Sequence, residues 1–109
     1  EDAQIRLVET YAKAAGLFAL ADRPNVYLKL APRIFGDVKK GQASAETFFP
    51  RLVSAFGAQR LVWGSNFPTS PGTMAEILAE AQAGLACLSE EDRAWVFGRT
   101  AARLYPALA

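Results

Sequence analysis

Residues 60–68 read Arg60-Leu61-Val62-Trp63-Gly64-Ser65-Asn66-Phe67-Pro68. The apolar run up to Trp63 has the length and composition of a buried strand, and the Gly-Ser-Asn-x-Pro that follows is turn chemistry that stops it. Ser65 and Asn66 are therefore expected where a strand, Leu61–Gly64, empties into a loop. In α/β proteins built on parallel strands that edge is where ligands bind, because the carboxyl ends of neighbouring strands and their loops converge there.

Working back from this strand, Ser44 to Phe56 reads as a helix. Proline is tolerated only in a first helical turn, so Pro50 favours Thr47 over Ser44 as the N-cap. Phe49, Leu52, Val53 and Phe56 are expected inward, with Gly57 closing the helix in a left-handed cap. Residues 32–43 show no consistent period and are rich in breakers, which predicts a long loop at the active-site mouth rather than the usual ~2–6-residue connection. There Arg33, Lys39 and Lys40 are candidates to attract a carboxylated substrate, Arg33 being the best placed because it adjoins a strand. For the two lysines a solvated loop tip is the simpler reading.

That strand is Val26–Ala31, whose alternation sets Val26, Leu28 and Leu30 on one face and Tyr27, Lys29 and Ala31 on the other. A charged head in mid-strand is costly to bury without a partner. Lys29 therefore either snorkels or pairs with a carboxylate, or it lies beside the substrate. Both readings turn the Tyr27/Lys29 face inward and the Val26/Leu28/Leu30 face toward helices. Strand, loop, helix and strand make a βαβ crossover and so two parallel neighbours. Residues 2–21 carry Ile5, Val8, Ala12 and Ala15 near helical spacing with Asp2 as N-cap, which predicts a helix interrupted at Gly16 and a further turn from Leu17 to Ala21.

Past Pro68, Thr73-Met-Ala-Glu76 is a capping box that opens a helix with Met74, Ile77, Leu78, Ala81 and Leu85 inward, running to about Leu88. Ser89-Glu-Glu-Asp92 starts another, its acids suited to the helix dipole. Trp95 and Phe97 are expected to anchor it, Gly98 to end it, and Thr100 to cap a last turn from Ala101 to Tyr105.

Residues 60–68 resemble the last barrel strand of the amidohydrolase-related hydrolases, amidohydrolase family 2. The family pattern is Arg-Leu-hydrophobic-Trp-Gly-Ser-Asp-Phe/Trp-Pro, and the chain departs from it only at Asn66, where the family has aspartate. Pro24-Asn-Val-Tyr-Leu-Lys-Leu30 looks like the preceding strand, and Arg93 to Pro106 like the closing helices. The resemblance implies an α/β fold, with residues 1–109 a single segment forming the C-terminal portion of a (β/α)8 TIM barrel: the last two strands and their helices. Such a barrel needs about 250 residues, so the chain alone is expected to associate or fold poorly.

The resemblance also implies the chemistry. In the family the strand-end carboxylate orients or deprotonates the water that attacks a carbonyl, while histidines of earlier strands hold metal or act as further acid-base groups. Asn66 is isosteric but neutral, so its amide exchanges hydrogen bonds without serving as a base near neutral pH. Three readings follow: Asn66 positions substrate or water while another residue is the base; the reaction is not hydrolysis; or the barrel is silent and serves binding or assembly. Asn66 capping the turn is compatible with all three. Asn66 is thus the catalytic candidate, with Arg33, Lys29 and Ser65 as substrate-binding candidates. The expected activity is hydrolysis next to a carbonyl, on a lactone or carboxylated small molecule as in pyrone-dicarboxylate lactonases; decarboxylation or lactone isomerisation is the alternative.

Composition bounds these readings. Hydrophobic residues are 51% and charged residues 21% of the chain, enough apolar surface for a core and too much for a disordered chain. Twelve basic and 11 acidic residues give a net charge of +1, which points away from nucleic acid and anionic membranes. The expected partners are a small-molecule substrate, the rest of the barrel and a second copy in a homo-oligomer. No apolar run approaches the ~18 residues of a membrane span. The single cysteine, Cys87, permits no internal disulfide and suits a reducing cytoplasm. The chain has no histidine, so a divalent metal, Zn or Mn, would be held by residues outside it, with Asn66 at most a weak ligand. Gly-x-Ser-x-Gly, Gly-x-Gly-x-x-Gly and Walker patterns do not occur. Trp63 is most simply core packing.

Overall fold

The computed structural model describes residues 6–10, 17–39 and 45–108. Three parallel strands, β1 (Arg6–Thr10), β2 (Val26–Leu30) and β3 (Leu61–Trp63), form a sheet in the order β1-β2-β3. Leu7 pairs with Tyr27 and Glu9 with Lys29 across the first interface, and Lys29 pairs with Val62 across the second. The β2–β3 connection is the expected parallel crossover.

β1 replaces part of the helix expected over residues 2–21. The spacing of Val8 with its apolar neighbours fits a helix locally, but in Arg6–Thr10 the backbone groups that face β2 are paired along the strand instead. That pairing overrides a weak local preference. The Arg6 N–H opens the ladder by donating to Asn25 O at 2.8 Å. Asp2, Ile5, Ala12, Ala15 and Gly16 lie outside the described residues. The further turn is present as a 3₁₀ segment, Phe18–Asp22.

The loop expected over residues 32–43 is instead a helix in its described part, α1 (Pro32–Lys39). Pro32 sits at its first position, where a fixed φ is pre-organised and the missing N–H would have had no partner. Ile34 and Phe35 are buried and Val38 packs beside them, a short helical stripe that Gly36 and the flanking charges disguise. Lys40 lies outside the described residues.

The next helix, α2, spans Ala45–Phe56, so Thr47 lies inside it rather than capping it and Pro50 is in its interior. Phe49, Leu52 and Phe56 are buried as expected. Phe48 joins them, its ring edge-on to Phe18 at 6.1 Å and to Phe49 at 5.4 Å. Gly57 has φ +81 and ψ 141, a positive-φ conformation other than the expected left-handed helical cap.

Beyond β3, α3 (Met74–Gly84) starts at the capping box on Thr73 and Glu76. Ile77, Ala81, Leu85 and Leu88 face inward, whereas Met74 is exposed. The next helix does not end at Gly98: α4 (Glu90–Ala94), capped by Ser89, runs through a π segment, Trp95–Arg99, into α5 (Thr100–Leu104). The wider turn carries the chain past the glycine and buries Val96 and Thr100, leaving Trp95 and Phe97 partly exposed. Thr100 does not cap a helix; its hydroxyl donates to Ala58 O at 3.0 Å, just before β3.

Helices pack on one face of the sheet, where Val26, Leu28, Leu30 and Leu61 meet Ile34, Phe49, Leu52, Leu85 and Val96. Each such side chain contributes roughly 1.5–3 kcal/mol by its removal from water. Arg60 fixes where β3 begins. Its Nε donates to Phe56 O at 2.9 Å, one terminal nitrogen donates to Arg23 O at 2.7 Å and Val26 O at 3.2 Å, and the other donates to Ala21 O at 2.9 Å. One guanidinium thus ties α2, the 3₁₀ segment and the start of β2 together.

Candidate functional site

The carboxyl ends of β2 and β3 lie side by side, and the Gly64 N–H extends their ladder by donating to Leu30 O at 3.0 Å. The chain then turns sharply. Asn66 adopts φ +54, a left-handed conformation that asparagine tolerates better than most residues. The Ser70 N–H donates to Asn66 O at 2.9 Å, and the Phe67–Pro68 peptide is cis. The Ser65 hydroxyl accepts from the Phe67 N–H at 3.1 Å, which commits that oxygen to shaping the turn.

Lys29 and Val62 are register partners, and alternation puts Gly64 on the same face of the sheet. The lysine stem crosses that glycine, and its ammonium donates to Asn66 Oδ1 at 2.5 Å. An ammonium can only donate, so the carbonyl end of the Asn66 amide faces Lys29 and its nitrogen faces the other way.

Beside Asn66 lies an open cleft of about 420 Å³, lined by Pro32 and Arg33 of α1, by Asn66, Ser70 and Pro71 of the β3–α3 loop, and by Glu80 of α3. Of the four residues expected at the site, Lys29 and Asn66 are therefore joined directly and Arg33 shares the cleft with Asn66. Ser65 is not part of the lining. The conversion of the expected loop to a helix is what brings Arg33 here, one residue inside the start of α1. Glu80 escapes sequence reading because, one turn after Glu76, it looks like any solvated helix face. It pairs with the exposed Lys39 at 3.8 Å, and that lysine lines a hollow between the helices and not this cleft. That second hollow, about 340 Å³, lies between α1, α2 and α3 among Phe35, Val38, Phe49 and Gly84, on the helical side.

Among the described residues no cluster of three His, Cys, Asp or Glu side chains could hold a metal ion, and no helix is long and apolar enough to cross a membrane. Cys87 is exposed yet its thiol is held above its ordinary pKa, chiefly by partial desolvation and further by the Glu46 carboxylate, outweighing a hydrogen bond and Arg93. It is thus not an activated nucleophile. The Trp63 ring packs on Phe97 with centroids 5.8 Å apart, as core packing requires, but its indole N–H is buried without a partner among the described residues.

A family profile described as amidohydrolase matches residues 12–107. No curated protein matches the chain. Among solved structures, a zinc-bound amidohydrolase of Burkholderia multivorans is similar with a TM-score of 0.70 and 26% identity, over 99% of this chain and 45% of that one. A proposed 2-pyrone-4,6-dicarboxylic acid hydrolase of Pseudomonas putida is similar with a TM-score of 0.71 and 25% identity, over 92% of this chain and 42% of that one. The chain thus spans less than half the length of either structure.

Proposed function

Because the chain belongs to the amidohydrolase family, we propose that it contributes the C-terminal strands of a (β/α)8-barrel hydrolase acting next to a carbonyl, on a lactone or carboxylated small molecule. The observation that carries this reading is the Lys29–Asn66 hydrogen bond at the strand ends, with Arg33 lining the same cleft. Asn66 replaces the base of the family pattern with a positioned amide, whose nitrogen donates to a carbonyl or carboxylate oxygen of the substrate. Arg33 pairs with a substrate carboxylate, for which a guanidinium supplies two parallel donors. Proton abstraction from water then falls to a residue outside these strands, since Asn66 has no basic lone pair near neutral pH.

Zinc is present in the Burkholderia relative, but the residues described here do not fit a metal site. The chain has no histidine. The Asn66 oxygen that would ligate already faces the Lys29 ammonium, and a second cation there would meet the charge of the first. Any divalent ion of the whole protein belongs to other residues. The neutrality of Asn66 also favours a second reading, a catalytically silent barrel used for binding.

The test is a panel of lactones with and without a carboxylate, hydrolysed by the full-length protein and its Arg33→Ala variant. Loss of a charge-assisted contact worth about 1.5–3 kcal/mol lowers kcat/KM on the order of 10- to 150-fold for carboxylated substrates and leaves neutral lactones nearly unaffected. Equal rates on both classes with both proteins discard Arg33 as the anion contact. No turnover of any lactone favours the silent barrel.

A further inference from the structure

We propose that Gly64 is a positioning residue: it is the notch through which the Lys29 stem reaches Asn66. The proposal rests on reading the strand ends as the site. Gly64 does not have the positive φ of Gly57 and Gly72, so its backbone does not call for glycine. The demand comes from the neighbouring strand. A Cβ at position 64 would lie 2.5 Å from Lys29 Cε, 3.3 Å from Cδ and 3.4 Å from Cγ.

Cε thus occupies the space of that methyl group and Cδ and Cγ lie tightly against it, while the ammonium beyond them is bound to Asn66 Oδ1. Gly64 is held against β2 by its N–H, which donates to Leu30 O at 3.0 Å. A long lysine stem swings aside at little cost to the core, but here it does so only by releasing Asn66. A methyl group at position 64 is therefore cheap for the fold and expensive for the amide. With the ammonium gone, Asn66 Oδ1 loses the donor that turns it toward Lys29.

The experiment compares Gly64→Ala, Lys29→Ala and the double variant in the full-length protein. Each single variant should lower kcat about tenfold or more with little change in melting temperature. The double variant should be no worse than either, because both break one linkage and the two losses do not multiply. Amide NMR gives a readout that needs no substrate: the Asn66 side-chain signals, assigned by their loss in Asn66→Asp, should move in Gly64→Ala as they do in Lys29→Ala. Unmoved signals in Gly64→Ala, or losses in kcat that multiply, overturn the proposal. If the wild type turns over no lactone, the hydrolase reading fails while the NMR comparison still decides the role of Gly64. Should Gly64→Ala unfold, recovery of the fold in the double variant supports the collision with Lys29, and continued unfolding refutes it.

Discussion

The Lys29 ammonium on β2 lies 2.5 Å from the side-chain oxygen of Asn66, beyond the end of β3, although 37 positions separate them in sequence. A cation held against an amide oxygen sets the consequences of restoring the carboxylate of the family pattern. In Asn66→Asp the new carboxyl gains an ion pair in the folded state, so its pKa falls below the ordinary carboxylate value, roughly 3.9.

The sign of the pH dependence follows. A depressed folded pKa adds stability that is present above the unfolded value and is lost as pH falls through the folded one. Asn66→Asp should therefore melt higher than wild type at pH 6–7, and this advantage should vanish toward pH 2–3. If the barrel lacks only a base, hydrolysis should appear or increase in this variant and reach its plateau by about pH 5, with the carboxylate already ionised. A pH–rate profile taken beside the melting curve reads both; a rate and a stability identical to wild type at every pH would reduce Asn66 to a turn residue.

Arg60 answers to stability and not to chemistry. Arg60→Ala strips donors from carbonyls of Ala21, Arg23, Val26 and Phe56. The expected cost, measured by urea unfolding of the full-length protein, is roughly 2–3 kcal/mol. Arg60→Lys should recover only a minor part, since a point charge cannot reproduce a fork of donors. A substitution within a few tenths of a kcal/mol of wild type would mean that water replaces the clamp without penalty.

Gly36 lies in the middle of α1 with empty space where a Cβ would be and without the positive φ that forbids one. Gly36→Ala should stabilise by roughly 0.5–1 kcal/mol, mostly by restricting the unfolded chain. A loss of stability in the same unfolding assay would show that α1 needs the freedom of glycine.

Cys87 titrates on the alkaline side. Its raised thiol pKa means that the folded state resists ionisation, so the associated stability is whole at neutral pH and declines as pH rises from roughly 8.5 upward. Iodoacetamide should label the protein slowly at pH 7 and faster only as the thiolate forms. Cys87→Ser should remove this part of the alkaline decline; rapid labelling at pH 7 would contradict the desolvated thiol.

The features legible in sequence are those set by near neighbours. The capping box at Thr73 and Glu76, the Ser89 cap, the β3 stop at Gly64-Ser65-Asn66 and the alternation of β2 each lie within a few residues. The elements read wrongly depend on distant partners. β1 is a strand because β2 is beside it, and α1 is a helix because Ile34 and Phe35 find a core supplied by α2 and α3. The π segment likewise follows from where Val96 and Thr100 must go, which Gly98 alone does not reveal. At the site, Asn66 and Arg33 were visible as residue types at strand ends. The Lys29–Gly64 crossing required knowing the register.

The left-handed backbone at Asn66 bears on how such a site changes over time. At φ +54 most side chains are disfavoured, and among the few that fit comfortably are asparagine and aspartate. The codons of these two differ only in their first base, so a lineage can exchange an amide for a carboxylate in one mutational step, and reverse it in another, while the turn and the lysine facing it stay where they are.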